Sequence, residues 1–313
     1  MTRAFVFPGQ GAQTIGMGKA LAEAYPAAKA VFDEVDAALG ESLSSLIWEG
    51  DIAELTLTAN AQPALMATSI AALRALEAEG FSVGDAAFVA GHSLGEYSAL
   101  CAAGALSVTD AAKLLRIRGA AMQSAVPVGV GAMAALLGLG FDDATRIAGE
   151  AAAAGPGNEV CQAANDNDPA QVVVSGHKAA VERAVEIAKA AGAKRAVMLP
   201  VSAPFHCALM QPAADAMAEA LAGTQINAPV VPVVANVRAE AVSDPELIRQ
   251  LLVEQVTGSV RWRESVEWMV GQGVTEFWEI GAGKALSGMI KRIAKETAQA
   301  NIGTPEDIAK LKG

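Results

Sequence analysis

The sequence predicts an α/β protein in which a large domain carries a smaller inserted subdomain. Short runs rich in β-branched and aromatic residues alternate with longer Ala- and Leu-rich stretches of helical periodicity, which is typical of α/β folds. Between residues 126 and 197 the order of the elements changes, which indicates a separate unit. A chain of 313 residues with 52% hydrophobic residues is long enough to bury a large core and carry such an insert.

The elements before the insert lead into two loops of functional interest. The first strand runs into the loop Pro-Gly-Gln-Gly at 8–11, and a later buried strand runs directly into Ser93. Gly80 is suited to end the first predicted helix, and the last helix begins with cap-type residues. In chain order these elements are a strand at 4–7, a helix at 61–80, a strand at 86–92, a helix at 94–106 and a helix at 107–126.

The insert has the element order β-α-β-β-α-β, which is that of a ferredoxin-like unit. We therefore assign residues 126–197 to a small subdomain, and residues 1–125 and 198–313 to a large, discontinuous α/β domain. The elements of the insert are a strand at 131–138, a helix at 141–155, strands at 159–166 and 171–176, a helix at 177–192 and a strand at 194–201.

The large domain resumes after the insert with the same alternation of strands and helices. Its elements there are a strand at 230–237, a helix around ELIRQLLVEQV, a strand at 275–280 and a final helix from Ala285.

Composition excludes several classes of protein. The net charge of −11 argues against general nucleic-acid binding. The longest apolar segment, at 128–141, is too short to cross a bilayer and is interrupted by glycines, and we expect the first residues to be a strand rather than a signal peptide. Cys101, Cys161 and Cys207 show no CxxC spacing, so we expect neither a disulfide framework nor a metal site. We expect a cytoplasmic monomer without a membrane partner.

The segment Gly91-His92-Ser93-Leu94-Gly95 predicts a nucleophilic serine. A GxSxG sequence after a strand and before a helix is the context of a nucleophile elbow. The following helix, which starts near Leu94, directs free N–H groups and its positive end towards the place where an oxyanion forms. The alternative is a glycine-lined turn that carries an unreactive serine.

A nucleophilic serine needs a base, and the chain has three histidines. His92 is adjacent to Ser93, but neighbours on an extended strand point to opposite faces, so we expect it to pack beneath the turn. His177 begins a predicted surface helix, where exposure is expected. His206 lies on the loop after the insert and is by elimination the candidate base. A backbone carbonyl can orient its imidazole where no acid does so. The neighbouring Cys207 is expected to be buried and inert.

A series of longer motifs runs through the whole chain. In their order they resemble the motifs of the malonyl-CoA:acyl carrier protein transacylases of fatty-acid synthesis. The resemblance implies an α/β-hydrolase-like large domain with a mostly parallel sheet and a ferredoxin-like insert. The motifs are FVFPGQGAQ, AQPALMATSIAAL, GHSLGEYSAL, RIRGAAMQ, GAMAALLG, AAND, QVVVSG, SAPFHCALM, LVEQV and EIGAGKALSGMIKRI.

The resemblance also implies roles for individual residues. It makes Ser93 the nucleophile and His206 the general base and acid, with the backbone carbonyl of Gln255 orienting the imidazole. The backbone N–H groups of Gln10 and Leu94 form the oxyanion hole. Further implied residues are Arg118, which binds the free carboxylate of the malonyl group, and two pocket residues, Gln62 and Phe205.

The implied reaction is a ping-pong transfer of the malonyl group from malonyl-CoA to the phosphopantetheine thiol of acyl carrier protein, through a malonyl-serine intermediate. It needs no metal or redox cofactor. Because carrier protein and this chain are both acidic, docking needs local cations. The candidates, which are otherwise solvated surface charges, are Lys189, Lys194, Arg195, Lys284, Lys291 and Arg292.

Three alternatives stay open from the sequence. A serine esterase or thioesterase would use Ser93 and His206 but would not need Arg118. A free-standing acyltransferase that loads a polyketide synthase has a similar sequence. A catalytically inactive carrier-protein-binding module would fail to form an acyl-serine. The bulk of Phe205 predicts that an α-methyl branch on the acyl group is disfavoured.

Overall fold

The computed structural model describes residues 2–201 and 203–312, so Met1 and Gly313, the predicted limits of the large domain, lie outside the described residues. The larger of its two sheets has six strands in the order β10-β9-β1-β2-β7-β8. Its pairs are parallel except for the antiparallel pair at the β8 edge. These strands are β1 (Arg3–Phe7), β2 (Phe88–Gly91), β7 (Val233–Ala235), β8 (Glu240–Val242), β9 (Glu276–Ile280) and β10 (Ala298–Ile302).

The central strand β1 is apolar on both faces because helices cover both sides of the sheet. Phe5 and Phe7 pack into one hydrophobic cluster, and Ala4 and Val6 pack into another on the opposite face. Successive side chains of a strand point to opposite faces, and a strand buried on both faces therefore has no polar alternation. This burial anchors the loop that follows Phe7 against the centre of the molecule.

In the described part of the chain, four helices of the large domain begin at a side-chain cap. The Ser107 side chain accepts from the N–H of Asp110, and Asp244 caps its helix in the same way through Leu247. These helices are α1 (Lys19–Ala24), α2 (Pro26–Leu39), α3 (Leu43–Glu49), α4 (Ile52–Thr56), α5 (Thr58–Ala78), α6 (Gly95–Ala102), α7 (Val108–Ser124), α10 (Gln211–Ala222), α11 (Pro245–Thr257), α12 (Trp262–Gly271), α13 (Ala285–Ile293) and α14 (Pro305–Lys310).

The smaller sheet is antiparallel, with the order β4-β5-β3-β6. The element order is β-α-β-β-α-β, and the sheet and its two helices share a separate hydrophobic cluster. The structure thus confirms the predicted α/β class with a mostly parallel sheet and a ferredoxin-like insert. The predicted limits of the two domains stay a prediction. The elements are β3 (Gly131–Leu137), α8 (Phe141–Ala153), β4 (Cys161–Asp168), β5 (Gln171–His177), α9 (Lys178–Ala190) and β6 (Arg195–Met198).

Two predictions about the elements of the large domain were wrong or incomplete. The helix at Ala285 is not the final element, because β10 and α14 follow it. The strand β10 has the sequence AQANI, whose single β-branched residue gives little strand signal. Helices α1 to α4 were not predicted either, because they are short or rich in alanine, a residue that occurs in many contexts.

Two further findings concern the excluded classes. Across residues 2–201 and 203–312, no helix is both long and apolar enough to cross a membrane. Cys101, Cys161 and Cys207 are free and buried.

Candidate active site

Ser93 occupies a sharp turn between β2 and α6. Its φ of 54° lies in the left-handed region, which a non-glycine residue rarely adopts. Glycine is required on both sides of it: a Cβ on Gly91 would lie 1.9 Å from the carbonyl oxygen of Gly95, and a Cβ on Gly95 would lie 2.3 Å from that of Phe7. The end of β1 therefore packs directly against the turn, and side chains are excluded from it.

Asn236, which follows β7, holds the strained turn in place. Its Oδ1 accepts from the Ser93 N–H at 2.8 Å, and its Nδ2 donates to the carbonyl of Gly91 at 2.7 Å. One bond is to the N–H of Ser93 itself and the other to the carbonyl two residues before it, so Asn236 bridges the turn. Asn236 was missed in the sequence; its only signal there is a polar residue directly after a buried strand.

The structure brings His206 to Ser93 across 113 positions of the chain. The Nε2 of His206 lies 2.7 Å from Ser93 Oγ. Its Nδ1 lies 2.9 Å from the carbonyl oxygen of Gln255 and 3.1 Å from that of Gly258. Since carbonyl oxygens only accept, Nδ1 carries the proton and Nε2 is free to accept from the serine hydroxyl.

The electrostatic surroundings keep the His206 ring neutral. Burial, and after it the positive charge of Arg118, lower the pKa of His206 to about 3, while the bonds to Gln255 and Gly258 oppose the shift. The imidazole is therefore uncharged at neutral pH. This is the state that a general base needs before the reaction begins.

Arg118, on α7, is a buried cation that points at the nucleophile. It is 1% exposed, and it donates to Gln62 Oε1 at 2.7 Å, to Gln255 Oε1 at 2.8 Å and to Ser93 Oγ at 3.1 Å. Among the described residues no carboxylate forms an ion pair with it, and its Nε makes no hydrogen bond. Burial lowers the pKa of Arg118, with nearby Tyr97 and Glu96 opposing the shift. Within the described residues the guanidinium thus has neutral acceptors but no anionic partner.

Glu96 is a buried acid that was missed in the sequence. It is 3% exposed, and its Oε2 accepts from the N–H of Asn236 at 3.0 Å and from Gln255 Nε2 at 2.7 Å. Burial raises its pKa to about 7, while the bonds from Asn236 and Gln255 and the charge of Arg118 oppose the shift. A single charge in the otherwise apolar stretch LGEYSALCAAGAL is the signal that could have drawn attention to it.

The other two histidines have structural contacts. His92 is half-buried beside the turn, with Nε2 2.8 Å from Asn167 Oδ1 of the small sheet, which agrees with the predicted packed role. His177 is half-buried rather than exposed, because its Nδ1 accepts from the N–H of Val160 at 2.9 Å. Burial raises the pKa of the Cys207 thiol, which therefore stays protonated.

A pocket of about 400 Å³ opens onto Ser93 between the two sheets. All the predicted site residues line it except Gln255, which lies behind Arg118 and His206. Its apolar part is formed by Met122, Met133, Leu199, Val201 and Phe205.

The backbone N–H groups around the turn differ in whether they already donate a hydrogen bond. The N–H groups of Ser93, Gly95 and Glu96 each donate to an acceptor within the described part of the chain. In this turn that leaves the N–H of Leu94 as the candidate donor to an oxyanion. Gln10 lines the same pocket, and its side chain is held by a 3.2 Å bond to Thr58 Oγ1.

No group of three or more metal-ligating side chains was found in residues 2–201 and 203–312. The site therefore consists of a serine, a neutral histidine and a buried guanidinium around one pocket. This arrangement can carry out acyl transfer on a substrate that bears an anionic group.

Comparison with known proteins agrees with this chemistry. The acyl transferase domain family matches residues 4–305. A malonyl CoA-acyl carrier protein transacylase of Bacillus subtilis is 49% identical over 97% of this chain and 94% of its own length. The solved acyl-carrier-protein S-malonyltransferase of Bartonella henselae is 57% identical, with a TM-score of 0.96 over 99% of this chain and 98% of its own.

A further solved structure contains a malonyl-transacylase in complex with a holo acyl carrier protein of a type II polyketide synthase. It is 42% identical to this chain, with a TM-score of 0.94 over 99% of this chain and 98% of its own. The similarity in sequence and the similarity in fold both extend over nearly the whole chain. The chain therefore belongs to the malonyl-CoA:acyl carrier protein transacylase family.

Proposed function

We propose that the protein transfers a malonyl group from malonyl-CoA to the phosphopantetheine thiol of holo acyl carrier protein, supplying extender units for fatty-acid synthesis. The observation that carries the proposal is the buried guanidinium of Arg118, 3.1 Å from Ser93 Oγ and without an ion-pair partner in the described residues. A carboxylate at the far end of the acyl group would supply that partner. The family and the names of the relatives support the same reaction.

In the first half-reaction His206 Nε2 takes the proton of Ser93 Oγ as the oxygen attacks the thioester carbonyl carbon. The neutral ring and the 2.7 Å contact suit this transfer. The imidazolium that forms is stabilised by the carbonyl of Gln255, which takes the position of the acid in a catalytic triad. The tetrahedral intermediate then collapses, the C–S bond breaks and CoA leaves with the proton from His206.

We infer that the tetrahedral oxyanion is bound by the backbone N–H groups of Leu94 and Gln10. Leu94 is supported because the neighbouring N–H groups of the turn already donate hydrogen bonds to other acceptors. Gln10 is supported as the second donor because it lines the same pocket. Removing one oxyanion donor typically costs about 2.7–4 kcal/mol of transition-state stabilisation. Gln10 lies on the loop that follows β1, so the close packing of β1 against the serine turn positions this donor for catalysis.

The malonyl carboxylate would bind the fork of Arg118, with Gln62 beside it. A planar guanidinium matches a carboxylate bidentately, and such charge-assisted bonds are the stronger kind. An acetyl group would leave the buried guanidinium without this partner, which selects against it. Met122, Met133 and Phe205 form an apolar wall of the same pocket, and we expect the bulk of Phe205 to disfavour a branched acyl group.

In the second half-reaction the phosphopantetheine thiol loses its proton to His206 and attacks the malonyl-Ser93 ester. The C–O bond to the serine breaks, and the proton returns from His206 to Ser93 Oγ. These steps balance with protein groups and the two substrates alone, so they require no cofactor. The cytoplasmic location and the monomeric state remain predictions from the sequence.

We infer that the carrier protein docks beside the cleft between α13 and the end of β4. Lys291, Arg292 and Lys295 line this cleft, and Arg292 bonds Asp168 across it at 2.7 Å. Lys189 instead pairs with Glu186 on an exposed helix face. With Arg292 paired to Asp168, Lys291 and Lys295 are the cations that this cleft offers to an acidic partner on a chain of net charge −11. Charge reversal of Lys295 should raise KM for carrier protein and leave serine malonylation unchanged.

The proposal is tested by intact mass spectrometry after mixing the protein with malonyl-CoA. We expect a malonyl adduct on the wild-type protein and none on Ser93→Ala, and we expect holo acyl carrier protein to remove the adduct. Loss of the adduct to water at the same rate without carrier protein would favour the esterase alternative. Absence of any adduct would favour the inactive binding module.

The polyketide alternative keeps one specific support, the solved relative in complex with a carrier protein of a type II polyketide synthase. The same labelled protein offered carrier proteins of both kinds distinguishes the two roles. Faster transfer to the fatty-acid carrier protein is expected.

A further inference from the structure

Glu96 stands three residues after the nucleophile and has no role in the steps above. It lies in the first turn of α6, is 3% exposed, and forms no ion pair within the described residues. Burying a carboxylate without a cation is costly unless hydrogen bonds satisfy it. Its two bonds, from the Asn236 N–H and from Gln255 Nε2, both come from residues that touch the catalytic groups.

Gln255 connects this carboxylate to the rest of the site. Its side-chain Nε2 donates to Glu96 and also, at 3.0 Å, to the carbonyl of Ser93. Its Oε1 accepts from Arg118 at 2.8 Å, and its backbone carbonyl accepts from His206. One residue thus contacts the nucleophile, the base and the cation.

The orientation of the Gln255 amide is decided by its neighbours. An ionised carboxylate only accepts hydrogen bonds, whereas a guanidinium only donates them. With Glu96 on one side and Arg118 on the other, the NH₂ group must face Glu96 and the oxygen must face Arg118. A flipped amide would direct its NH₂ group at the guanidinium and its oxygen at the carboxylate, and would lose both bonds.

We propose that Glu96 is a positioning residue for the transfer reaction: its carboxylate fixes the Gln255 amide, which in turn holds the Arg118 guanidinium in the orientation that receives the carboxylate of the acyl group. This inference rests on the proposed function. The base is held separately, because the backbone carbonyls of Gln255 and Gly258 bind His206 whichever way the side-chain amide points. Loss of the Glu96 charge therefore affects recognition of a carboxylated acyl group more than the attack itself.

The protonation state of Glu96 gives this role a pH dependence. The charged and titratable groups around it are Arg118 on α7, Tyr97 on its own helix, and His206. The pKa of Glu96 is raised to about 7, that of Tyr97 is raised by burial, and that of His206 is lowered to about 3. Glu96 is therefore the group of this set that titrates between pH 5.5 and 8. Once protonated it can donate to the Gln255 oxygen, so its own preference for this amide orientation is lost and only Arg118 and the Ser93 carbonyl still favour it.

The test uses Glu96→Gln, which keeps the shape of the side chain but removes its charge and mimics the protonated acid. Glu279→Gln is the matched control, since Glu279 is also buried but binds the N–H groups of Leu286 and Ser287 away from the pocket. Acylation of Ser93 is followed with malonyl-CoA and with p-nitrophenyl acetate, an acyl donor without a carboxylate, from pH 5.5 to 8.

We expect wild-type kcat/KM for malonyl-CoA to rise with pH through about 7, and that for p-nitrophenyl acetate to lack this limb. For Glu96→Gln we expect the malonyl limb to vanish and KM for malonyl-CoA to rise about tenfold, the effect of roughly one weakened charge-assisted bond. The kcat of the variant and its rate with p-nitrophenyl acetate should stay within about threefold of wild type, a change below the tenfold effect of one lost bond. Glu279→Gln should keep the wild-type profile.

Two results would overturn the inference. One is a wild-type malonyl profile that is flat between pH 5.5 and 8, a measurement that does not depend on the folding of any variant. The other is an equal loss of both acyl donors in Glu96→Gln, which indicates a general structural role. Failure of the proposed function is recognised separately, because the wild-type protein would then form no malonyl-Ser93 adduct at any pH.

Discussion

Replacing Arg118 with lysine keeps a positive charge in the pocket but removes the planar fork of donors. The guanidinium makes three hydrogen bonds, to Gln62, Gln255 and Ser93, and a single ammonium cannot maintain these and bind a carboxylate bidentately. Loss of one charge-assisted hydrogen bond costs about 1.5–3 kcal/mol. At about 1.4 kcal/mol for each factor of ten, kcat/KM for malonyl-CoA should fall roughly 10- to 150-fold.

The assay is single-turnover acylation of Ser93 with malonyl-CoA and with acetyl-CoA. Acetyl-CoA has no carboxylate to bind the guanidinium, so kcat/KM for acetyl-CoA should change little. The ratio of kcat/KM for malonyl-CoA to that for acetyl-CoA should therefore fall by the same factor as kcat/KM for malonyl-CoA. Arg116→Lys is the matched control, because Arg116 lies on the same helix but pairs with Glu41 and Asn60 outside the pocket. Equal losses for both substrates, or an unchanged rate with malonyl-CoA, would refute carboxylate recognition by Arg118.

Four further predictions concern stability. Gly91→Ala should severely impair folding and acylation, because its Cβ would lie 1.9 Å from a backbone oxygen. Gly149→Ala is the contrasting variant, because Gly149 lies in an open position of a helix. It should raise the free energy of unfolding, measured by urea titration, by about 0.5–1 kcal/mol. Asn236→Ala should lower that free energy by about 1–3 kcal/mol for each unsatisfied group and slow acylation, since it frees the strained Ser93 turn; an unchanged urea midpoint would contradict this. The pKa of Glu96 is raised in the folded protein, so between pH 4.5 and 7 the folded protein holds a proton that the unfolded chain has lost. The free energy of unfolding of the wild type therefore falls as pH rises through this window. Glu96→Gln lacks this loss, and its free energy of unfolding should increase relative to wild type by up to roughly 1 kcal/mol per pH unit. His206 acts in the opposite direction, because its lowered pKa removes stability as pH falls below about 6.5, so wild-type unfolding should show a shallow pH dependence there.

Local signals carried the fold and part of the site. The alternation of strand-forming and helix-forming runs predicted both sheets, and the βαββαβ order identified the insert, because these patterns depend on which face of each element is buried. The glycines around Ser93 identified the turn, since the need for glycine there arises within a few residues. Strand β10 was missed because its partner in the sheet, and not its own composition, makes it a strand.

The contacts that make the site work are of a different kind. The sequence alone determined that a serine sits on a sharp strand–helix turn, and among its three histidines it left His206, by elimination, as the candidate base. Only the tertiary structure decided that His206 meets it at 2.7 Å, that Arg118 is buried beside both, and that Glu96, Asn236 and Gln255 connect them. The physical reason is that local patterns report burial and backbone geometry within one element, whereas a hydrogen bond between residues more than 100 positions apart depends on how all the elements pack.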